Sequence, residues 1–309
     1  MYRQEDLNFL PGEEHLYCNS GYSLLADIVE RITGKSFRNF LQAEVFDLLG
    51  MSSTHVHDDH QEIVPNRTYS YTPKDDGGYQ NSVLSFSNHG ATSLFTTVKD
   101  LAIWMKNFET RQVGSAILVQ MIERGRLNSG EHINYVFGLT VSRYRGVQQI
   151  QHSGSDAGFR SHILMIPDEK FGVAVLGNVS NSNPAGLAHK IADIVLGDQL
   201  EAVKSEETSE PEPPGKPDRE EVILSEDCYG EYESRELQTR YQILNVDGQV
   251  HARHARHPDV ILRCENQDRL IGEESYFQDV QFKRNKDGLV TGFHLNSGRV
   301  RNLRFDKVN

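Results

Sequence analysis

The sequence predicts an α+β fold, an antiparallel sheet flanked by helices, followed by a small all-β, barrel-like domain. Apolar residues recur at helical spacing up to residue 122, and short β-type runs replace them from residue 135. Past an acidic, proline-rich stretch at 203–222, only short strand-like runs separated by turn signals remain. At 309 residues the chain is long enough for two domains, and its 37% apolar and 25% charged composition is ordinary globular usage.

Residues 20–33 carry Leu24, Leu25, Ile28, Val29 and Ile32 at helical spacing, with Gly34 as the expected C-cap. A second helix is expected over 36–48, with Phe37, Phe40, Leu41 and Leu48 on one face and Gly50 ending it. Thr97 and Asp100 form a capping-box pattern opening a helix whose Trp104 and Phe108 read as core, and another helix is expected over 116–122. Strands are expected at 135–144, 148–152, 159–166 and 171–178, then a last helix over 184–196. The stretch 203–222 holds four of the ten prolines and seven acidic against three basic residues, so it reads as an extended, solvated linker. Beyond it, turn signals such as Asp247-Gly248, Asp287-Gly288 and Ser297-Gly298 separate about eight short strands, enough for a small barrel or sandwich. The domain reading is thus 1–202, a linker at 203–222 and a β domain at 223–309.

A net charge of −12 argues against a nucleic-acid partner, which needs a dense basic patch, and suits a small neutral or cationic ligand. No apolar run approaches the roughly 20 residues of a spanning helix, and residues 1–6 show no signal-peptide pattern. Cys18, Cys228 and Cys264 are odd in number and far apart, implying neither a disulfide framework nor a zinc site. Two histidine clusters invite a metal reading. In His55-Val56-His57-Asp58-Asp59-His60, ligands two apart on a strand are conceivable, but the Asp-rich surroundings read as a solvated loop. His251, His254 and His257, three apart, alternate faces of a strand, and Arg253 and Arg256 between them repel a cation, so they read as surface. No metal ligand is assigned.

Three local features can carry chemistry. Tyr17-Cys18-Asn19-Ser20 stands at the mouth of a helix, where free N–H groups and a positive dipole end make Tyr17 a candidate proton acceptor. Asn19 there could hold a substrate amide; the plain alternative is that Asn19 or Ser20 merely caps the helix. His152-Ser153-Gly154-Ser155, running on through Arg160 and Ser161, offers small residues on a strand, where a ligand backbone can approach exposed N–H groups. Its plain alternative is a serine-rich turn. The third feature, 90–99, reads as a loop and helix cap.

Taken in order, these features resemble the serine β-lactamase and penicillin-binding-protein superfamily, in particular its class C β-lactamase and esterase branch. Tyr17-Cys18-Asn19 stands in place of that branch's Tyr-x-Asn motif and His152-Ser153-Gly154 in place of its third motif. Pro11-Gly12, Leu48-Leu49-Gly50-Met51, Leu94-Phe95-Thr96-Thr97 and Gly158-Phe159-Arg160-Ser161 look like further landmarks of the family. The resemblance implies a β-lactamase/transpeptidase-like fold, with Tyr17 as general base and acid and Asn19 orienting the scissile bond. It further implies His152 in the cationic third-motif position, the Ser155 N–H as half of an oxyanion hole, and Ser153, Gly154 and Arg160 lining the substrate. The C-terminal module, with Tyr229-Gly230-Glu231-Tyr232, resembles the lipocalin-like domains appended to some members.

One departure stands out: the family's Ser-x-x-Lys nucleophile motif occurs nowhere in the 309 residues, and Thr96-Thr97-Val98-Lys99 lies on the wrong side of Tyr17 to replace it. The expectation is therefore a chain lacking the N-terminal part of its catalytic domain, inactive alone, with that segment encoded upstream or supplied by a separate polypeptide. The complete hydrolase would act through an acyl-serine on small-molecule or peptide substrates, namely β-lactams, D-amino-acid peptides or small esters, with no metal or organic cofactor. The third motif lacks the lysine usual in the family, so the resemblance implies β-lactam hydrolysis less strongly and leaves esterase or peptidase action open. The resemblance also implies a periplasmic or secreted protein. The rival expectation is a non-catalytic binding protein that keeps the pocket without the nucleophile.

Overall fold

A computed structural model of the chain describes residues 3–85, 87–202 and 223–308. By packing, the chain divides into two units, Cys18–Ser205 and Met1–Tyr17 together with Glu206–Asn309. The expected linker at 203–222 falls outside the described residues.

The unit Cys18–Ser205 opens with α1 (Asn19–Thr33), which ends where Gly34 takes φ 67° and returns its N–H to the Glu30 carbonyl. The apolar stripe of this helix is largely open: Leu24, Leu25, Ile28 and Ile32 are exposed, Ile32 at 79%, and Ala26 is the buried residue of this helix. The second expected helix is interrupted. It runs as α2 (Phe37–Leu41), a π-helical turn at Gln42–Phe46 and α3 (Asp47–Leu49), with the Ser36 hydroxyl accepting the Asn39 N–H at its start. Phe46, Leu49 and Met51 then pack with Val56 in one core.

Four short strands follow that residue periodicity did not reveal, because runs of two to four residues carry no readable period: β1 (His55–Val56), β2 (Ser70–Pro73), β3 (Tyr79–Ser82) and β4 (Leu94–Phe95). β1 pairs with β4 and β2 with β3. α4 (Val98–Thr110) begins as expected, the Thr97 hydroxyl accepting the Asp100 N–H. The buried Asp100 carboxylate reaches outward rather than back. It accepts from the Ser53 N–H and the Thr54 hydroxyl and so ties α4 to the turn after α3. α5 (Ser115–Gln120) precedes the sheet.

That sheet is a five-stranded antiparallel meander of β5 (Tyr135–Val136), β6 (Leu139–Tyr144), β7 (Val147–Asp156), β8 (Phe159–Ile166) and β9 (Phe171–Gly177). The one strand expected at 135–144 is split because Phe137 and Gly138 both take positive φ, 40° and 83°. Alternation along β8 serves two cores. Met165 joins Val141 and Ile150 against Met105 and Phe108 of α4, while Leu164 and Ile166 meet Ala188, Ala192 and Leu196 of α6 (Pro184–Leu196) on the other face.

In the second unit, β10 (Gly230–Ser234), β11 (Thr239–Val246), β12 (Gln249–His254), β13 (His257–Asn266), β14 (Arg269–Gly272), β15 (Asp279–Arg284), β16 (Val290–Ser297) and β17 (Val300–Lys307) form a closed antiparallel barrel. β10 closes on β17 through the pair Tyr232 and Lys307. Tyr232, Phe277, Phe293 and Phe305 are fully buried in its core, as an eight-stranded barrel is just wide enough for side chains to fill it. The second histidine cluster corrects the expectation of three diverging surface rings. His254 and His257 lie opposite each other across the β12–β13 hairpin, their rings 4.1 Å apart. A hairpin thus joins side chains that spacing along a single strand would separate. Among the described residues no helix is long and apolar enough to cross a membrane.

Candidate active site

The start of α1 sets aside the capping reading of Asn19 and Ser20. The N-cap position belongs to Cys18, which has extended φ/ψ and no side-chain capping bond, so neither Asn19 nor Ser20 serves as the cap. Asn19 is the first helical residue, beside N–H groups that have no partner within the helix. One turn on, the Ser23 hydroxyl donates to the Asn88 side-chain carbonyl at 2.7 Å. That contact anchors the loop from Asn88 to Ser93 on α1. Gly90 lies so close that a Cβ would come within 2.6 Å of the Tyr22 carbonyl oxygen and 2.8 Å of the Ala26 Cβ. The feature read as a plain loop is therefore packed onto α1, and its Thr92 side chain lies beside Asp156 at the end of β7. Burial holds the Asp156 carboxyl above its usual range.

β7 continues as strand through the expected turn. His152, Ser153, Gly154, Ser155 and Asp156 pair with Ile163, His162, Ser161, Arg160 and Phe159 of β8, whereas pairing with β6 stops at Gln151. From His152 onward, among the described residues, β7 has a partner strand on one side only. A one-sided strand leaves an edge to which an extended ligand backbone can add. A Cβ at Gly154 would collide with the Ser161 hydroxyl, so this stretch stays slim. The Arg160 guanidinium folds onto the hairpin, donating to the carbonyls of Ala157 and Phe159. His152 packs edge-on to Tyr135 at 6.0 Å, and burial lowers its pKa below the usual imidazole value. It is neutral at pH 7, a hydrogen-bonding group rather than the fixed cation that its motif position implied. Tyr17 belongs to the other unit, where the Arg299 guanidinium lies 4.5 Å over its ring.

One pairing escaped sequence reading. The Ser153 hydroxyl and His162 Nδ1 share a 2.7 Å hydrogen bond, nine residues apart in sequence and directly opposite across β7 and β8. The register of the hairpin is the signal that could have found it. As a nucleophile and base the pair is weak, because burial, then the neighbouring His189 and His152, push the His162 pKa down to about 4. Its Nε2 has no orienting partner among the described residues. The same shift predicts acid sensitivity. The unfolded imidazole takes up its proton near 6.5 and the folded one only near 4, so the unfolded state binds more protons in between. Stability is full above pH 6.5 and drops by about 3 kcal/mol as pH falls toward 4. Urea midpoints between pH 7 and 4.5, followed through Trp104, should show this slope in the native chain and a flatter one in His162→Gln; equal slopes would acquit His162.

The β-lactamase family model matches residues 1–197. The chain belongs to the β-lactamase family. Among curated relatives of this β-lactamase-family chain, the D-aminopeptidase of Gluconobacter oxydans is 27% identical over 173 residues, covering 56% of this chain and 33% of that protein. The D-aminopeptidase of Brucella anthropi is 24% identical over 201 residues, covering 63% and 37%. The chain thus spans about a third of the length of these relatives. An octameric penicillin-binding protein homologue from Pyrococcus abyssi superposes with a TM-score of 0.55 at 21% identity, over 96% of this chain and 66% of that one. A penicillin-binding protein from Bacillus halodurans superposes at 0.52 and 20% identity, over 60% and 57%. These superpositions establish the fold, a β-lactamase-like α+β domain with a C-terminal eight-stranded barrel.

Proposed function

We propose that this chain carries the substrate-edge half of a serine hydrolase that cleaves amide bonds, with short peptides or amides of D-amino acids as its substrate class. The one-sided stretch of β7 from His152 to Asp156, tied through Thr92, Asn88 and Ser23 to the helix that begins at Asn19, carries this reading. An extended substrate laid along that edge places its scissile carbonyl by main-chain hydrogen bonds, beside Ser153, Gly154 and Arg160. Asn19 orients the amide, neutral His152 offers a further hydrogen bond, and the Ser155 N–H forms one arm of an oxyanion hole. Tyr17, two residues before Asn19 in the same triplet, accepts the proton of the attacking serine and returns it to the leaving amine. The C–N bond breaks as the serine ester forms, and water then hydrolyses that ester.

The serine itself is assigned to a Ser-x-x-Lys segment outside these 309 residues. The exposed apolar faces of α1 and of α6, where Leu187, Ile194 and Val195 are open, support further polypeptide packing there. The similarity to D-aminopeptidases favours amides over β-lactams and esters. Mass spectrometry after incubation with a fluorophosphonate probe should show no adduct on this chain alone. One adduct per molecule, with D-alanine p-nitroanilide hydrolysis, is expected once a Ser-x-x-Lys segment is joined in frame. D-peptide binding without an adduct in the joined protein would identify a non-catalytic binding protein instead.

A further inference from the structure

The first histidine cluster is the solvated loop that its acidic composition suggested only from Asp58 to His60, which are exposed. His55 sits in β1 and His57 just beyond it, where the His57 N–H continues the pairing with a 2.8 Å bond to the Ser93 carbonyl. Residues two apart on extended backbone share a face, so both imidazoles point the same way. The His57 ring is completely buried and stacks on Phe95 at 4.1 Å, its plane within 18°. Neither of its nitrogens has a hydrogen-bond partner among the described residues, nor has His55 Nε2. Glu62 Oε2 lies 3.7 Å from His57 Nδ1, beyond hydrogen-bond reach. A wholly buried imidazole with two idle nitrogens breaks the rule that buried polar groups are paired, and it calls for a missing partner. One donor atom from each of His55, His57 and Glu62 lies within 4.8 Å of the other two.

We propose that His55, His57 and Glu62 bind a zinc ion. Two imidazoles and one carboxylate are borderline donors suited to zinc, and three protein ligands leave a fourth position for water. A modest inward movement of the three side chains brings their donors to the roughly 2.0–2.2 Å that zinc requires. Arg38 supplies the outer support, gripping the two Glu62 oxygens at 2.7 and 2.8 Å while it also bonds Asp58 at 3.0 Å. Arg38 and Arg67 balance Asp58 and Glu62, so the surroundings are close to neutral. Such a shell offers little to hard cations such as calcium or magnesium, which need several oxygen ligands. Entry is open beside Glu62, where a cavity of about 350 Å³ is lined by Glu62, Ile63, Val64, Asn66, Arg67 and Tyr69. Bound there, the ion clamps the segment up to Glu62 onto β1. It involves none of the residues assigned to hydrolysis, so the two proposals fail separately.

The test uses the untagged full chain, stripped with chelator and titrated with zinc chloride at pH 7 by calorimetry. One ion per chain is expected, undiminished by excess calcium or magnesium. His55→Gln and Glu62→Gln should each weaken binding at least about tenfold, and His254→Gln, in the other histidine cluster, should leave it unchanged. Absence of binding overturns the proposal, as does binding that His254→Gln weakens while the other two variants do not. Should either ligand variant fail to fold, the cobalt-substituted native chain decides. An intense visible d–d spectrum of a four-coordinate histidine site supports the assignment, and a pale octahedral spectrum refutes it.

Discussion

Tyr17→Phe, placed in the chain joined to its Ser-x-x-Lys segment, is expected to lower turnover of D-alanine p-nitroanilide about 10² to 10⁴-fold. The substitution removes only the phenolic hydroxyl. The ring that lies under the Arg299 guanidinium stays, so the fold should persist and circular dichroism should not change. The loss should fall on kcat, because a group that moves a proton acts in the transition state, whereas a group that merely binds substrate raises KM. Acylation measured in a single turnover is the sharpest reading. Unchanged acylation would remove Tyr17 from the mechanism and turn attention to another proton acceptor.

Gly158→Ala should cost about 3 kcal/mol, roughly 10 °C in the melting temperature of the unit that Trp104 reports. A Cβ at this position would stand 2.7 Å from the Tyr71 carbonyl oxygen and 2.8 Å from the Tyr71 nitrogen. Neither atom is free to yield. The Tyr71 N–H donates to the Asn178 carbonyl and its carbonyl accepts the Ser180 N–H, while the Gly158 N–H itself donates to the buried Ser70 hydroxyl. The methyl group therefore has to push apart the contact that holds β2 against the β7–β8 hairpin. Gly197→Ala, where a Cβ meets nothing within 4 Å, is the control and should change stability by no more than about 0.5 kcal/mol. Equal melting temperatures for the two variants would show that the hairpin relaxes without help from β2.

Long, strongly periodic elements were legible. α1, α4 and α6, the strands β8 and β9 and the eight-strand count of the C-terminal domain follow from spacing and from turn residues such as Asp247-Gly248, whereas β7 outruns its expected span 148–152. What failed did so for local reasons. Phe137 and Gly138 bend the chain in the middle of an apolar run, and β1 to β4 are too short to show a period. Helical spacing marks the apolar stripe of α1, yet spacing does not say what covers a face, and here Ile32 lies open.

By itself the sequence determined the fold class, the order of the chemistry-bearing triplets and the absence of Ser-x-x-Lys, because these are properties of residue type and spacing along one chain. Only the tertiary structure decided which of those residues meet. Strand register set Ser153 against His162 and His254 against His257, pairs that linear spacing leaves apart. Burial made His152 neutral and enclosed both His57 ring nitrogens with no hydrogen-bond partner among the described residues, since the cost of a charge or an idle polar atom depends on the solvent removed around it and not on its neighbours in sequence.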